Sequence, residues 1–336
     1  MLDVPLQVER GIAAAVAAPA LGLIDWGVAG GAALGGLRVA PRVALLHAPA
    51  AGAIEKWCAG VDVERWRDGF LDCASDGQWL FASALLDEAG CGGVEAAART
   101  VYTAIFELLE RSGHRYLQRT WNYLGDINLE LDGLERYRRF NIGRQDAFLA
   151  AHYPAFDGAP AACGLGVTAG PLSVHFVASA APPVAIENPR QVSAYRYPSD
   201  YGPRSPTFSR GAIVRRDGVP LLLISGTASI VGHQSLHLGD VAAQTGEAIA
   251  NLRAVVDAAN AHASIAAAGL HRFALEQALC TVYIRHPDDL ARVRETFESA
   301  VGATSPAARQ AIYVKADVCR RELLVEIEAT IAGAAA

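Results

Sequence analysis

The chain has 336 residues, of which 52% are hydrophobic and 19% are charged, and its formal net charge at pH 7 is -6. This length is sufficient for two domains of ordinary size, each with its own core. The composition excludes a disordered chain. The negative charge argues against nucleic acid as the main partner, since nucleic-acid binding usually requires a basic face. An anionic ligand would therefore have to be held by locally clustered arginines.

The cysteines and the N-terminus bear on the cellular compartment. The six cysteines occur without CxxC pairs, which is typical neither of a zinc site nor of a secreted disulfide framework. An apolar stretch near the N-terminus follows Asp3 and Glu9 and is interrupted by Pro19 and Asp25, unlike a signal peptide. No stretch approaches the roughly 20 apolar residues of a membrane span. We expect a cytoplasmic protein with reduced thiols and no membrane partner.

The first half of the chain is predicted to contain two helices among several strands. Apolar spacing and chain breaks place strands within residues 36–48, 78–83 and 116–128, and two more within 161–180. A helix is predicted at 92–113, where Gly113 provides the C-terminal stop, and a second at 134–152.

The second half repeats this layout after a proline-rich bridge at residues 181–192. A loop of turn formers and aromatic residues occupies 195–211, and Asp217-Gly218 between apolar runs predicts a hairpin. A long helix, a strand, a second helix and two final strands follow within 239–262, 273–286, 287–302 and 308–331. Both halves thus have the order β-β-α-β-α-β-β. This indicates an α+β protein of two fused units, residues 1–185 and 190–336, the first of them degenerate.

The final strands of the two halves differ at one informative position. Glu326 lies between Val325 and Ile327, and His175 takes the corresponding place in the first half. A carboxylate present in one copy indicates that one unit holds a site and the other supports it. Alternation places Glu326 on the same strand face as Glu328. Glu326 is either a structural residue at a sheet edge or, if partly buried, a general acid with a raised pKa.

Two arginine-rich segments are candidates for anion binding. Arg139 and Arg144 lie on the helix predicted at 134–152, which is either a binding surface or a solvated basic face. Arg204 and Arg210 lie with Tyr201 in the 195–211 loop. A guanidinium among aromatic rings and prolines suits bidentate binding of a carboxylate. The alternative is a stiff surface loop with solvated charges.

No motif indicates a cofactor. Gly164-Leu165-Gly166 lies within a predicted strand, without the following helix that a dinucleotide site requires. His233 and His237 have the spacing of metal ligands but lack the glutamate and the helix of the zinc motif. We expect neither a metal nor an organic cofactor.

The second half resembles the RidA-like (YjgF) family, from SGTASIVG through the 239–262 helix to the strand VEIEA. Members of that family are small α+β subunits that form trimers with active sites between subunits. Over residues 95–330 the chain is similar to the chorismatases, in which two such copies are fused. The segments that carry this resemblance are TWNYLGDIN, YRRFN, YPSDYGPRSPTFSRG, SGTASIVGH and CRRELLVEIE.

The resemblance implies an enzyme that removes the enolpyruvyl group from chorismate, acting as a pseudo-oligomeric monomer or as a homo-oligomer. It implies that Glu326 is the catalytic glutamate and that Arg309 holds a substrate carboxylate. Cys319 and Gly232 stand where members that make 3-hydroxybenzoate, alone or with 4-hydroxybenzoate, have Cys and Gly. Hydrolytic members release a dihydroxycyclohexadiene carboxylate instead. A RidA-like protein that binds a small acid without turnover is a further alternative.

A chorismate pocket needs two cation sites, an apolar slot and one proton donor. The candidate cations are Arg139, Arg144, Arg204, Arg210 and Arg309, and the candidate walls are Tyr201, Phe208 and Trp121. Glu326 would protonate the enolpyruvyl methylene, and Cys319 would assist rearomatisation. Cys319 and Glu326 are seven positions apart, so strict alternation would place them on opposite faces of a strand. Both can therefore line one pocket only if residues 320–323 contain a turn or bulge.

Overall fold

A computed structural model of the chain describes residues 8–11, 20–27, 37–49, 52–58, 62–216, 219–266 and 271–335. The predicted hairpin turn at Asp217-Gly218 lies outside the described residues. The strands on either side of it pair antiparallel, with Arg216 opposite Val219. No helix among the described residues is both long and apolar enough to cross a membrane.

The N-terminal strands form a small sheet of their own. They are β1 (Val8–Gly11), β2 (Ala20–Asp25), β3 (Leu37–Val39), β4 (Ala44–His47) and β5 (Ile54–Cys58). Four of them make a sheet of order β1-β5-β2-β3, whereas β4 pairs with a strand of the second unit. The predicted first domain, residues 1–185, therefore includes this small sheet in addition to one α+β unit.

The first α+β unit is a six-stranded sheet with two long helices. Its elements are β6 (Glu64–Asp68), β7 (Leu71–Ser75), β8 (Trp79–Leu86), α1 (Glu88–Cys91), α2 (Val94–Ser112), β9 (Tyr116–Gly125), β10 (Glu130–Leu131), β11 (Leu134–Glu135), α3 (Arg136–Ala150), β12 (Ala161–Val167) and β13 (Leu172–Ser179). The sheet order is β12-β9-β13-β8-β7-β6. Gly113 ends α2 in a left-handed conformation, as predicted. Gly143 lets α3 pack closely on α2, because a Cβ there would overlap with the carbonyl of Glu95.

The second unit repeats this architecture. Its elements are β14 (Val184–Ile186), β15 (Gly211–Arg216), β16 (Val219–Ala228), β17 (Ile230–Val231), β18 (Gln234–Ser235), α4 (Val241–Ala261), α5 (Ala263–Ala266), β19 (His271–Arg272), β20 (Leu279–Ile284), α6 (Leu290–Val301), α7 (Pro306–Gln310), β21 (Ile312–Lys315), β22 (Val325–Ala332) and β23 (Ala334–Ala335). The main sheet has the order β14-β15-β16-β22-β20-β21-β4. Asp240 caps the N-terminus of α4, and its side chain accepts a hydrogen bond from the amide of Ala243. Residues 308–310, predicted to be strand, are helical because Pro306 and the cap Ser305 start a short helix there.

The core has three main layers. One lies between the first sheet and the helices α2 and α3, and another between the second sheet and α4 and α6. The third lies between the two sheets and includes Trp26 and Trp57 of the N-terminal sheet, Trp121 of the first unit and Tyr283 of the second. The sheets thus face each other across a shared apolar layer, with their helices outside. The predicted α+β fold of two fused β-β-α-β-α-β-β units is confirmed.

Candidate active site

A cavity of about 500 Å³ is lined by residues of both units. The first unit contributes parts of β9, α3 and β12 together with the β10–β11 hairpin. The second unit contributes the 195–211 loop, β16 and the segment from Cys319 to Glu326. The volume is within the roughly 300–1,000 Å³ typical of pockets for small molecules.

Glu326 is the buried carboxyl group of this cavity. It lies on β22 between β16 and β20, opposite Ala228 and Tyr283, and only 4% of it is exposed. Of the two alternatives for Glu326, the structure excludes the sheet-edge position, because β22 is an interior strand. Burial, reinforced by the negative charge of Glu328, raises the pKa of Glu326 to about 8, although Arg210 opposes this shift. Glu326 therefore keeps its proton at neutral pH and is able to act as an acid.

The backbone opposite Glu326 makes room for its carboxyl group. The pairing of β16 with β22 shifts register between Ile224 and Thr227, which is a bulge. Gly226 lies in this bulge, and a Cβ there would overlap with a carboxyl oxygen of Glu326. It would also lie 3.1 Å from the Cβ of Cys163, another residue of the cavity wall. A side chain at position 226 would displace the carboxyl group.

Cys319 lines the same cavity as Glu326. The chain turns between them, and the amide of Leu323 donates to the carbonyl of Arg320 at 3.1 Å. This is the turn that the odd spacing required. Burial and the nearby Glu326 raise the pKa of the Cys319 thiol to about 12. Cys319 is therefore a neutral thiol and a hydrogen-bond donor, not a thiolate nucleophile.

Three arginines of the cavity wall carry unpaired N–H groups. Arg144 and Arg210 are 3% and 4% exposed, and Arg320 is partly buried. Each has one buried guanidinium nitrogen without a hydrogen-bond partner among the described residues. Buried donors are normally paired. These three arginines place three positive charges in the wall of the cavity, which suits the binding of an anionic ligand.

Aromatic rings hold these guanidinium groups in place. Arg320 lies 4.1 Å from the ring centroid of Tyr201, and Arg210 lies 5.2 Å from that of Phe208. Arg210 also donates to the hydroxyl of Tyr197 at 2.7 Å. The 195–211 loop thereby orients two cations of the wall, Arg210 and Arg320.

The structure brings together half of the residues that the sequence selected. Glu326, Cys319, Arg144, Arg210 and Tyr201 all line the cavity, as does the predicted wall residue Phe208. The other selected residues lie elsewhere, and each has a structural reason.

Arg139 and Arg204 point to other partners. Arg139 donates to the carbonyl of Leu131 at 2.8 Å and so fastens the β10–β11 hairpin. Arg204 is exposed and lies 3.5 Å from Asp146 on α3.

Arg309, Gly232 and Trp121 are also outside the cavity wall. Arg309 is exposed on α7, because the segment predicted as strand is helical there. Gly232 adopts φ +57 in the β17–β18 turn and pairs with the backbone of residues 190–192. Trp121 is buried between the sheets, with its indole N–H donating to Glu328 at 3.3 Å.

Sequence reasoning missed several residues of the wall. They are Asn122, Tyr137, Arg138, Arg320, Arg321 and Gly226. All of them lie within the segments TWNYLGDIN, YRRFN, CRRELLVEIE and SGTASIVGH. The signal was therefore present in the motifs, but only the structure shows which side chains point inward.

The described residues contain no cluster of three or more His, Cys, Asp or Glu side chains that could hold a metal ion. His237 lies 3.2 Å from Glu247, and His233 lies 3.2 Å from the hydroxyl of Tyr201. The two histidines therefore have separate partners.

Comparison with known proteins shows which family the chain belongs to. Residues 55–178 match the family of FkbO/Hyg5-like chorismatase N-terminal domains. A 3-hydroxybenzoate synthase of Streptomyces hygroscopicus is 38% identical over 283 residues, which cover 82% of this chain and 81% of that protein. The chain belongs to the chorismatase family. A chorismatase of Streptomyces rapamycinicus is 37% identical over 286 residues, covering 83% and 82% of the two chains.

A chorismatase crystal structure matches with a TM-score of 0.80 and 31% identity over 98% of both chains. The match extends across the N-terminal sheet and both α+β units. The small N-terminal sheet is therefore part of the chorismatase fold and not a separate attachment.

Proposed function

We propose that this chorismatase converts chorismate to 3-hydroxybenzoate and pyruvate. The observation that carries the proposal is the presence, in one cavity, of a protonated buried Glu326 and of the guanidinium groups of Arg144, Arg210 and Arg320. Chorismate has two carboxylates and an acid-labile enol ether, so it needs this combination of cations and one proton donor.

In the first step, Glu326 gives its proton to the methylene carbon of the enolpyruvyl group. The bond between the ring carbon and the ether oxygen then breaks, and that oxygen leaves as the carbonyl of pyruvate. The oxygen of the neighbouring ring hydroxyl takes its place on the ring carbon, and the hydroxyl proton passes to the carboxylate of Glu326. The glutamate is thereby restored and an epoxide-like intermediate remains.

In the second step, the three-membered ring opens and the six-membered ring becomes aromatic. The neutral thiol of Cys319 donates a hydrogen bond to the oxygen as one C–O bond breaks. The ring carbon that loses this bond gives up its hydrogen as a proton and the oxygen gains one proton, so the product is 3-hydroxybenzoate and the protons balance. Chorismate is thus divided into two products without water or a redox partner. The position of Cys319 in the same cavity as Glu326 supports this role.

Product analysis tests the proposal. The protein is incubated with chorismate, pyruvate is measured enzymatically, and ring products are separated by chromatography. We expect equal amounts of pyruvate and 3-hydroxybenzoate. Pyruvate with a dihydroxycyclohexadiene carboxylate would indicate the hydrolytic reaction, and a share of 4-hydroxybenzoate would indicate opening of the other C–O bond. If no pyruvate forms, the remaining alternative is a protein that binds a small acid without converting it.

A further inference from the structure

We infer that Arg285, which does not line the cavity, is the positioning residue that sets product choice by holding the turn that carries Cys319. The inference rests on the proposed function, in which Cys319 acts after pyruvate has left. Arg285 follows β20 directly, and its side chain reaches into the loop between β21 and β22.

The guanidinium of Arg285 binds this turn at several points along its length. Its Nε donates to the carbonyl of Leu323 at 2.8 Å, and its Nη1 lies 3.1 Å from the carboxylate of Asp317. Its Nη2 lies within 3.1 Å of three further oxygens, those of the Val318 carbonyl, the Arg320 carbonyl and the Asn128 side chain. One planar group therefore fixes the turn on both sides of Cys319.

Asn128 connects the same turn to the first unit. Its amide nitrogen lies 3.1 Å from the carbonyl of Val318 and 2.9 Å from the carboxylate of Glu135 on β11. Its carbonyl oxygen accepts from Arg285. Next to this contact, Asp317 exchanges two backbone hydrogen bonds with Gly166 of β12, at 2.7 and 2.9 Å. The position of Cys319 is thus set by a junction between the two units.

Glu326 does not depend on this junction. It is held by the ladder of β22 with β16 and β20, and its room is provided by Gly226. Loosening the turn should therefore disturb the step that uses Cys319 and leave pyruvate release largely intact. A residue that only contributed to stability would reduce both products together.

The test compares Arg285→Lys and Asn128→Ala with Arg10→Lys. A lysine has one ammonium group and cannot bind all the acceptors of a guanidinium. Arg10 is a matched control, because it is a buried arginine that also binds backbone carbonyls and a carboxylate, Glu55, away from the cavity. Asn128→Ala keeps the test valid if Arg285→Lys fails to fold. It removes the contacts of one side chain with the turn, with Arg285 and with Glu135.

We expect pyruvate release per folded enzyme to stay within about threefold in the two turn variants. The ratio of 3-hydroxybenzoate to other ring products should fall on the order of tenfold, which corresponds to about 1.4 kcal/mol in relative barriers. Arg10→Lys should keep the wild-type ratio. An unchanged ratio in both folded turn variants, or an equal shift in Arg10→Lys, would overturn the inference.

A second readout does not depend on chorismate. The alkylation rate of Cys319 is followed by peptide mass spectrometry, with the partly buried Cys91 as internal reference. Loosening the turn should solvate the thiol and speed its alkylation, since only the thiolate reacts. If wild-type enzyme releases no pyruvate, the proposed function fails. The alkylation rates then still decide whether Arg285 holds the turn, and equal rates in wild type and both variants would refute it.

Discussion

The final strands of the two units, β13 and β22, each carry a buried polar residue at the same place in the sheet. His175 lies opposite Trp121 and Ser83, and Glu326 lies opposite Tyr283 and Ala228. The ring nitrogens of His175 are both occupied, by Ser83 Oγ at 2.8 Å and by Ser173 Oγ at 3.1 Å. Glu326 instead faces the cavity.

The strand next to each residue explains the difference. The pairing of β8 with β13 is continuous from Leu172 to Ser179, whereas β16 has a bulge beside Glu326. Burial lowers the pKa of His175 to about 3 and raises that of Glu326 to about 8, so both side chains are uncharged at neutral pH. Only the glutamate keeps a proton that it can transfer. At this place the two repeated units thus differ by one acidic residue and one glycine-containing bulge.

The largest effect should follow from Glu326→Gln. The amide keeps the shape of the side chain and loses the acidic proton, so kcat for pyruvate release should fall on the order of 10²-fold or more. The matched change in the first unit, His175→Gln, should reduce only the amount of folded enzyme. An equal loss of kcat in both variants would show that Glu326 has no role that His175 lacks.

Arg210→Ala should raise KM. The variant leaves a substrate carboxylate unpaired in a buried wall, which typically costs about 2–5 kcal/mol. Arg210→Lys should restore binding only in part, because an ammonium cannot form the bidentate contact. The exposed Arg204→Ala is the control and should keep the wild-type KM. Unchanged KM in Arg210→Ala would show that this arginine does not bind substrate.

Gly226→Ala tests the bulge. The new methyl group would overlap with the carboxyl group of Glu326, so kcat should fall roughly tenfold. Gly246→Ala is the control, because a Cβ at this position of α4 meets nothing within 4 Å. It should stabilise the helix by roughly 0.5–1 kcal/mol and leave kcat unchanged. A wild-type kcat in Gly226→Ala would show that the carboxyl group of Glu326 does not need the space beside Gly226.

Cys319→Ala should change the ring product more than the rate. Pyruvate release should remain within a few-fold of wild type, while 3-hydroxybenzoate gives way to another hydroxybenzoate or a diene-diol. Cys280→Ala, in the core beneath α4, should cost stability alone, since a buried free cysteine behaves as a small hydrophobe. An identical product profile from Cys319→Ala would show that Cys319 contributes only to packing.

The pH dependence of stability should show the smallest effect. A carboxyl group whose folded pKa is raised binds more protons in the folded than in the unfolded chain between its two pKa values. Wild type should therefore lose stability relative to Glu326→Gln as pH rises from about 4.5 to about 8. The measurement is urea unfolding of both proteins at pH 4, 6 and 8.5. A constant difference across this range would contradict a buried, protonated Glu326.

The sequence could predict the order of the elements but not how the two units share a site. Local sequence patterns predicted the helices α2, α3 and α4, and Gly113 predicted the end of α2. Trp121 was wrongly placed in the cavity wall, because the face that a strand turns to its partner depends on packing with distant residues. Arg309 was wrongly placed because Pro306 starts a short helix where a strand was predicted. Arg285 gave no signal, because its importance comes from contacts with residues distant in sequence.

The most direct test of the central claim is an NMR analysis of the products formed from chorismate in D2O by wild-type enzyme. Transfer of one solvent-derived proton from Glu326 predicts pyruvate with a single deuterium in its methyl group, in equal amount to 3-hydroxybenzoate. Pyruvate without deuterium would contradict protonation of the methylene carbon. A ring product other than 3-hydroxybenzoate would contradict the proposed second step.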